Sequence, residues 1–184
     1  MADSKNTEIK FGTDGWRGVI SDNFTFKNVR IITQAVSEWV NRDIQAGQKM
    51  LAVGYDTRFL SEEYARLVSC VLAQNGINVF LSNSAIPTPA LSYGVLRTKS
   101  VAGIMITASH NPAKFNGVKI KTDKGGGAPA EITNKVESYL YQTPVQTMDF
   151  DQAIEEGKIK KHDFKVDYLK FIKGYIDLKR IRKA

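Results

Sequence analysis

Cysteine is nearly absent from this 184-residue chain, and the one present, Cys70, has no partner, so no disulfide within the chain can hold the fold. Cys70 stands among Leu67, Val68, Val71 and Leu72, the setting of a buried structural thiol. Histidine is scarce as well, with His110 and His162 alone, which leaves little material for a histidine-based metal centre. Long apolar runs are missing: nothing approaches the roughly 18 residues that a membrane span needs, and the first ten residues carry no apolar core of a secretory leader. The expectation is a cytoplasmic protein without a membrane partner. What is there, 42% hydrophobic and 24% charged residues, suits an ordinary packed core.

The net charge of +7 raises the question of nucleic acid, and its location answers it. Residues 1–157 hold equal numbers of basic and acidic side chains. Residues 158–184 carry ten Lys and Arg against three Asp, the whole of the excess. That basic segment is interleaved with Tyr168, Leu169, Phe171, Ile172, Tyr175, Ile176, Leu178 and Ile181, which read as packing residues, so no nucleic-acid partner is expected.

Periodicity gives an alternation of strands and helices. Val29, Ile32, Val36, Trp39 and Val40 recur at helical spacing across 26–45 behind a capping Thr25. A β-run from Met50 to Tyr55 follows, then a helix capped by Ser61 that stops at Asn75-Gly76. Ile77 to Leu81 reads as a strand, Ala90 to Leu96 as a shorter helix behind Pro87 and Pro89, and Val101 to Ile106 as a strand buried on both faces. Gly117 to Lys121 is a further strand, Gly125-Gly126-Gly127 a turn, and Ile132, Val136, Tyr139 and Leu140 mark another helix. The fold expected is α/β: a layered α/β/α domain over 1–142 with a mixed sheet of four or more strands. An irregular linker is expected at 143–163, then a helix over 164–184 that either opens a following domain or packs on this one.

Chemistry concentrates in the loop Thr107-Ala108-Ser109-His110-Asn111-Pro112, directly after the buried strand. A serine hydrolase needs a G-x-S-x-G elbow, which is absent, and a histidine brought from elsewhere, for which there is only His162 in the charged tail. The alternative is a serine that exchanges a phosphoryl group, which needs cations, a metal and a proton-transfer group around it. Asp56 and Arg58, opposite charges at a strand end, read chiefly as loop-orienting. The Asp149/Asp151 pair reads as solvated rather than metal-binding, Trp39 as core and His162 as a surface residue.

Three motifs together carry a family resemblance. Thr107 to Pro112 followed by Asn116-Gly117-Val118-Lys119-Ile120 resembles the active-site loop of the α-D-phosphohexomutases, the phosphoglucomutase/phosphomannomutase family. Phe11-Gly12-Thr13-Asp14-Gly15-Trp16-Arg17-Gly18 resembles its N-terminal motif, and Gly54-Tyr55-Asp56-Thr57-Arg58 its early G-x-D-x-R segment. The resemblance implies a domain I whose Ser109 is phosphorylated at rest. That serine would donate its phosphoryl group to a hexose 1-phosphate, giving a hexose 1,6-bisphosphate that reorients and returns the other phosphate. It further implies Lys119 as general acid/base, Arg17 as electrostatic partner and second proton-transfer candidate, and His110 as a catalytic neighbour. Thr13 and Asn111 would contact substrate, and Mg2+ would bind an oxygen of the Ser109 phosphate.

Complete members of that family have four domains. The Asp-Gly-Asp-x-Asp-Arg metal loop of the second, the sugar-recognition loop of the third and the phosphate-binding loop of the fourth have no counterpart in this sequence. The resemblance therefore implies a domain whose partners are a hexose phosphate and the other three domains. It implies too a chain inactive alone and silent on glucose against mannose. A non-catalytic module binding a phosphosugar or another protein through the same loop stays open.

Overall fold

The computed structural model describes residues 9–13 and 15–182, without the side chain of Lys179; Asp14 of the N-terminal motif lies outside the described residues. The chain opens with β1 (Gly15–Val19), which alternates Trp16 into one face and Arg17 into the other, and continues into α1 (Phe26–Asp43). Thr25 caps α1 as its sequence suggests, its side-chain oxygen accepting from Asn28 N at 3.2 Å. Then come β2 (Met50–Tyr55), α2 (Ser61–Gln74), β3 (Asn78–Ser82), α3 (Thr88–Thr98), β4 (Ala102–Ile106) and β5 (Phe115–Thr122). The chain ends through α4 (Ala130–Ser138), α5 (Phe150–Glu155), β6 (Ile159–His162), α6 (Phe164–Lys173) and α7 (Leu178–Ile181).

Six strands form one mixed sheet in the order β1-β5-β4-β2-β3-β6. The pairs β4/β2, β2/β3 and β3/β6 are parallel, while β5 runs antiparallel to both β4 and β1. Helices lie on both faces, giving the α/β/α layering. On one side α1, α2, α4 and α5 close over Trp16, Leu51, Val53, Ile104, Ile106, Val118 and Ile120. On the other, α3 and α6 cover only the middle of the sheet, through Ala52, Leu91, Val95, Met105 and Phe164. Val29, Ile32, Val36, Trp39 and Val40 of α1 are buried as their spacing requires, and Cys70 is buried too. Among the described residues no helix is long and apolar enough to cross a membrane.

Three readings of the sequence need correction. Residues 143–163 are not an irregular linker: they contain α5 and β6, and β6 hydrogen-bonds along β3 with Ile159 opposite Val79. The charged residues misled because β6 is an edge strand, where Lys160 and Lys161 face solvent and only Ile159 is fully buried. Ser61 does not cap α2. The cap position is Leu60, at φ 60, and the Ser61 hydroxyl donates to Asp56 Oδ1 at 3.0 Å instead. His162 is not a bare surface residue, since its ring packs between Phe80 and Phe164 and its Nε2 lies 3.0 Å from Asp167 Oδ2. Asp149, by contrast, is occupied as the N-cap of α5, accepting from Asp151 N and Gln152 N.

Candidate active site

Ser109 sits at the tip of the connection from β4 to β5, exposed, with φ 56. A serine in the left-handed region costs about 1–2 kcal/mol. The surroundings must hold it there. Thr107 Oγ1 accepts the Ser109 amide at 3.0 Å, and Asn111 N donates to Ala108 O at 3.0 Å to tighten the turn. The larger contribution comes from Arg58. Its Nη2 donates to the carbonyls of Ser109 at 2.9 Å and Asn111 at 2.6 Å, and its Nη1 to those of Pro112 at 3.0 Å and Phe115 at 2.9 Å. Hydrogen bonds from a charged donor contribute about 1.5–3 kcal/mol each, so this fork outweighs the strain at Ser109.

Arg58 is itself fixed. Asp56 Oδ1 accepts the Arg58 amide at 3.0 Å, and Asp56 Oδ2 lies 3.4 Å from Arg58 Nε. The Ser61 hydroxyl bonded to Asp56 also accepts from Asn116 Nδ2 at 2.9 Å, and Asn116 Oδ1 accepts the Gly117 amide at 2.9 Å. A continuous polar chain thus runs from the end of β2 through the first turn of α2 to the start of β5, under the serine loop. The loop-orienting reading of Asp56 and Arg58 agrees with these bonds. The depth of the network was not legible, because Asn116 is buried and Ser61 looked like a helix cap.

The other positions are brought to the same end of the sheet by register. Arg17 pairs with Gly117, and Thr107 N donates to Gly117 O at 3.0 Å, so Arg17 lies two strands from the serine loop, about 10 Å at ordinary strand spacing. Lys119 stands between Gly15 of β1 and Met105 of β4. Cross-strand partners share a face, so Arg17, Lys119 and Lys121 all project to the side of α3, which packs on β2, β4 and β5; among the described residues no helix packs closely on that face of β1. Gly117 makes room for this. A Cβ there would meet Thr107 O at 2.7 Å, Trp16 O at 2.8 Å and Arg17 Cγ at 3.0 Å, so only glycine lets the arginine stem lie across β5. Lys119 is buried at 9% exposure, Arg17 half-buried, Asn111 half-buried, and His110 and Thr13 exposed. Among the described residues no group of three or more His, Cys, Asp or Glu could close around a metal ion.

The family model described as phosphoglucomutase/phosphomannomutase, alpha/beta/alpha domain I, matches residues 8–145. The chain belongs to that family. A phosphoglucomutase of Staphylococcus saprophyticus is 33% identical over 177 residues, covering 91% of this chain and 32% of the relative. A phosphoglucosamine/phosphogalactosamine mutase of Sulfurisphaera tokodaii is 29% identical over 174 residues, covering 94% and 36%. Among solved structures, one from Thermus thermophilus, assigned as a phosphomannomutase, superposes with a TM-score of 0.79 at 34% identity over 93% of this chain and 37% of its own. The Paramecium phosphoglucomutase parafusin shares the fold, with a TM-score of 0.76 at 19% identity. The chain spans about a third of the length of the relatives it matches, one domain of a larger phosphohexomutase architecture.

Proposed function

We propose that this chain is the phosphoserine domain of a phosphohexomutase that interconverts hexose 1-phosphate and hexose 6-phosphate. The observation that carries the reading is Ser109 itself, exposed at the end of a buried strand and held in a left-handed conformation at the same end of the sheet as Arg17 and Lys119. In the first half-reaction the free hydroxyl of a hexose 1-phosphate attacks the phosphorus on Ser109. The bond from phosphorus to Ser109 Oγ breaks, a new bond to the sugar oxygen forms, the hydroxyl proton leaves to a base, and the departing Ser109 Oγ takes up a proton from an acid. Lys119 and Arg17 are the candidates for proton transfer and for countering charge on the phosphoryl oxygens, with His110 beside the serine. Asn111 and Thr13 are the candidate substrate contacts. After the hexose 1,6-bisphosphate turns over, Ser109 Oγ attacks the phosphorus at the 1-position: the bond from that phosphorus to the sugar O1 breaks, a bond to Ser109 Oγ forms, the serine proton leaves to a base and O1 takes up a proton.

A phosphoserine carries about −1.5 to −2 charges near neutral pH, which Mg2+ would balance in the whole enzyme. Its ligand from this chain would be a phosphoryl oxygen on Ser109, and the remaining ligands would come from outside the described residues. Glucose and mannose phosphates are both within the reading, and the relatives extend to amino sugars.

A coupled assay of glucose 1-phosphate conversion tests this, run on the purified chain alone and with the other two thirds of a relative supplied. Phosphoryl transfer depends on positioning and charge stabilisation acting together, so the chain alone should show a cooperative melt and no turnover. Turnover by a contaminant-free preparation would make it a self-sufficient one-domain enzyme. No turnover under any complementation, with a phosphosugar still bound, would favour a non-catalytic binding module.

A further inference from the structure

The polar chain beneath the serine loop converges on Arg58. Its two terminal nitrogens reach four backbone carbonyls spread over seven residues, from Ser109 to Phe115, so one side chain fixes both the tip and the return of the loop. One of those carbonyls belongs to Ser109, the residue whose φ of 56 no ordinary side-chain preference would select. Arg58 is mostly buried, at 14% side-chain exposure, and Asp56 holds it from behind through both the backbone amide and Nε. We propose that Arg58, steadied by Asp56, is the positioning residue for phosphoryl transfer, locking Ser109 in the conformation that presents its Oγ to substrate. The proposal rests on Ser109 as the phosphoryl carrier and adds a residue outside the reacting atoms.

The planar fork is what matters. A lysine keeps the charge but cannot span four carbonyls. Because the guanidinium bonds to the peptide oxygens of the loop and not to the serine side chain, it leaves Ser109 Oγ available while placing a permanent positive charge close behind it. Asn116 completes the support by tying Ser61 and Asp56 to the first residues of β5.

The test is made on the chain itself, by backbone NMR and amide hydrogen exchange of the parent, Arg58→Ala and Arg58→Lys. The Ser109 coupling between amide and α protons, with its carbon shifts, reports the left-handed conformation directly. Both variants should lose that signature and exchange amides 107–116 faster by about tenfold or more, while amides 51–53 of β2 keep their protection. A left-handed signature that survives in Arg58→Lys and in a folded Arg58→Ala would overturn the proposal. So would faster exchange spread evenly over the sheet, which marks general destabilisation. Should Arg58→Ala fail to fold, Arg58→Lys alone decides. A Ser109 that never carries phosphate would defeat the reading of function and leave this loop result standing, so the two failures are distinguishable.

Discussion

Ser109 and Cys70 show how differently the fold treats two side chains of nucleophilic type. Ser109 is presented to solvent on a clamped turn, and Cys70 is shut inside α2. Burial comes first among the causes that push the Cys70 thiol up to about 11, with the Asp149 charge adding to it and Arg66 opposing. Since a thiolate is what reacts, alkylation by iodoacetamide at pH 8 should be roughly a hundredfold slower in the folded chain than in urea. Equal rates would contradict the burial. The sign for stability follows from the same shift. The contribution of Cys70 is fully present below the unfolded thiol value of about 8.5 and is lost as pH rises through about 11, and Cys70→Ala should remove that part of the alkaline decline.

At the scale of elements, α6 is the informative case. Phe164 at its start is fully buried against α3, where a Cβ on Gly94 would lie 2.2 Å from Phe164 Cδ1 and 2.6 Å from Cε1. Phe171 stacks on Tyr93 at 4.3 Å, while Val166, Leu169, Ile176, Leu178 and Ile181 remain exposed. α6 packs on this domain through Phe164 and Phe171, and the single helix expected over 164–184 is divided after Lys173 into α6 and α7. Gly94→Ala should cost about 1–3 kcal/mol by overpacking and should speed proteolysis within 164–182 before the sheet opens. An unchanged melt with unchanged cleavage would show that α6 does not depend on this contact.

The helices and central strands were legible because their burial is periodic: Val29 to Val40 and the apolar run ending at Ile106 each repeat one buried pattern. β1 and β6 were not, since they are short edge strands whose burial follows no regular period: Gly15 and Trp16 are both buried in β1, and Lys160 and Lys161 both exposed in β6. The candidate site was legible as a set of motifs but not as a geometry. Nothing in the order of residues 17, 58, 109 and 119 says that Arg17 crosses Gly117 or that Arg58 gathers four carbonyls. Those relations are set by strand register and by where β2 and β4 end.

For the whole molecule, the proposed function would place the phosphoryl carrier at one corner of the sheet, with the rest of the chemistry supplied from outside this chain. Helices seal one face of the sheet, but on the other, among the described residues, neither α3 nor α6 packs closely on β1 beside the serine loop. That open corner, lined by Arg17 and Lys119, is where the substrate and the other domains of the larger enzyme would meet Ser109. The basic segment 158–182 begins on the edge strand β6, at the opposite end of the strand order from β1, and its helix α6 packs back on α3. The phosphoryl carrier is the centre of this account, and its most direct test is a phosphopeptide map of the chain combined with the missing two thirds of a relative and treated with glucose 1,6-bisphosphate. The account predicts one phosphoryl group, on Ser109, absent from Ser109→Ala together with all turnover. Phosphate on a different residue alone, or an alanine variant that still turns over, would contradict it.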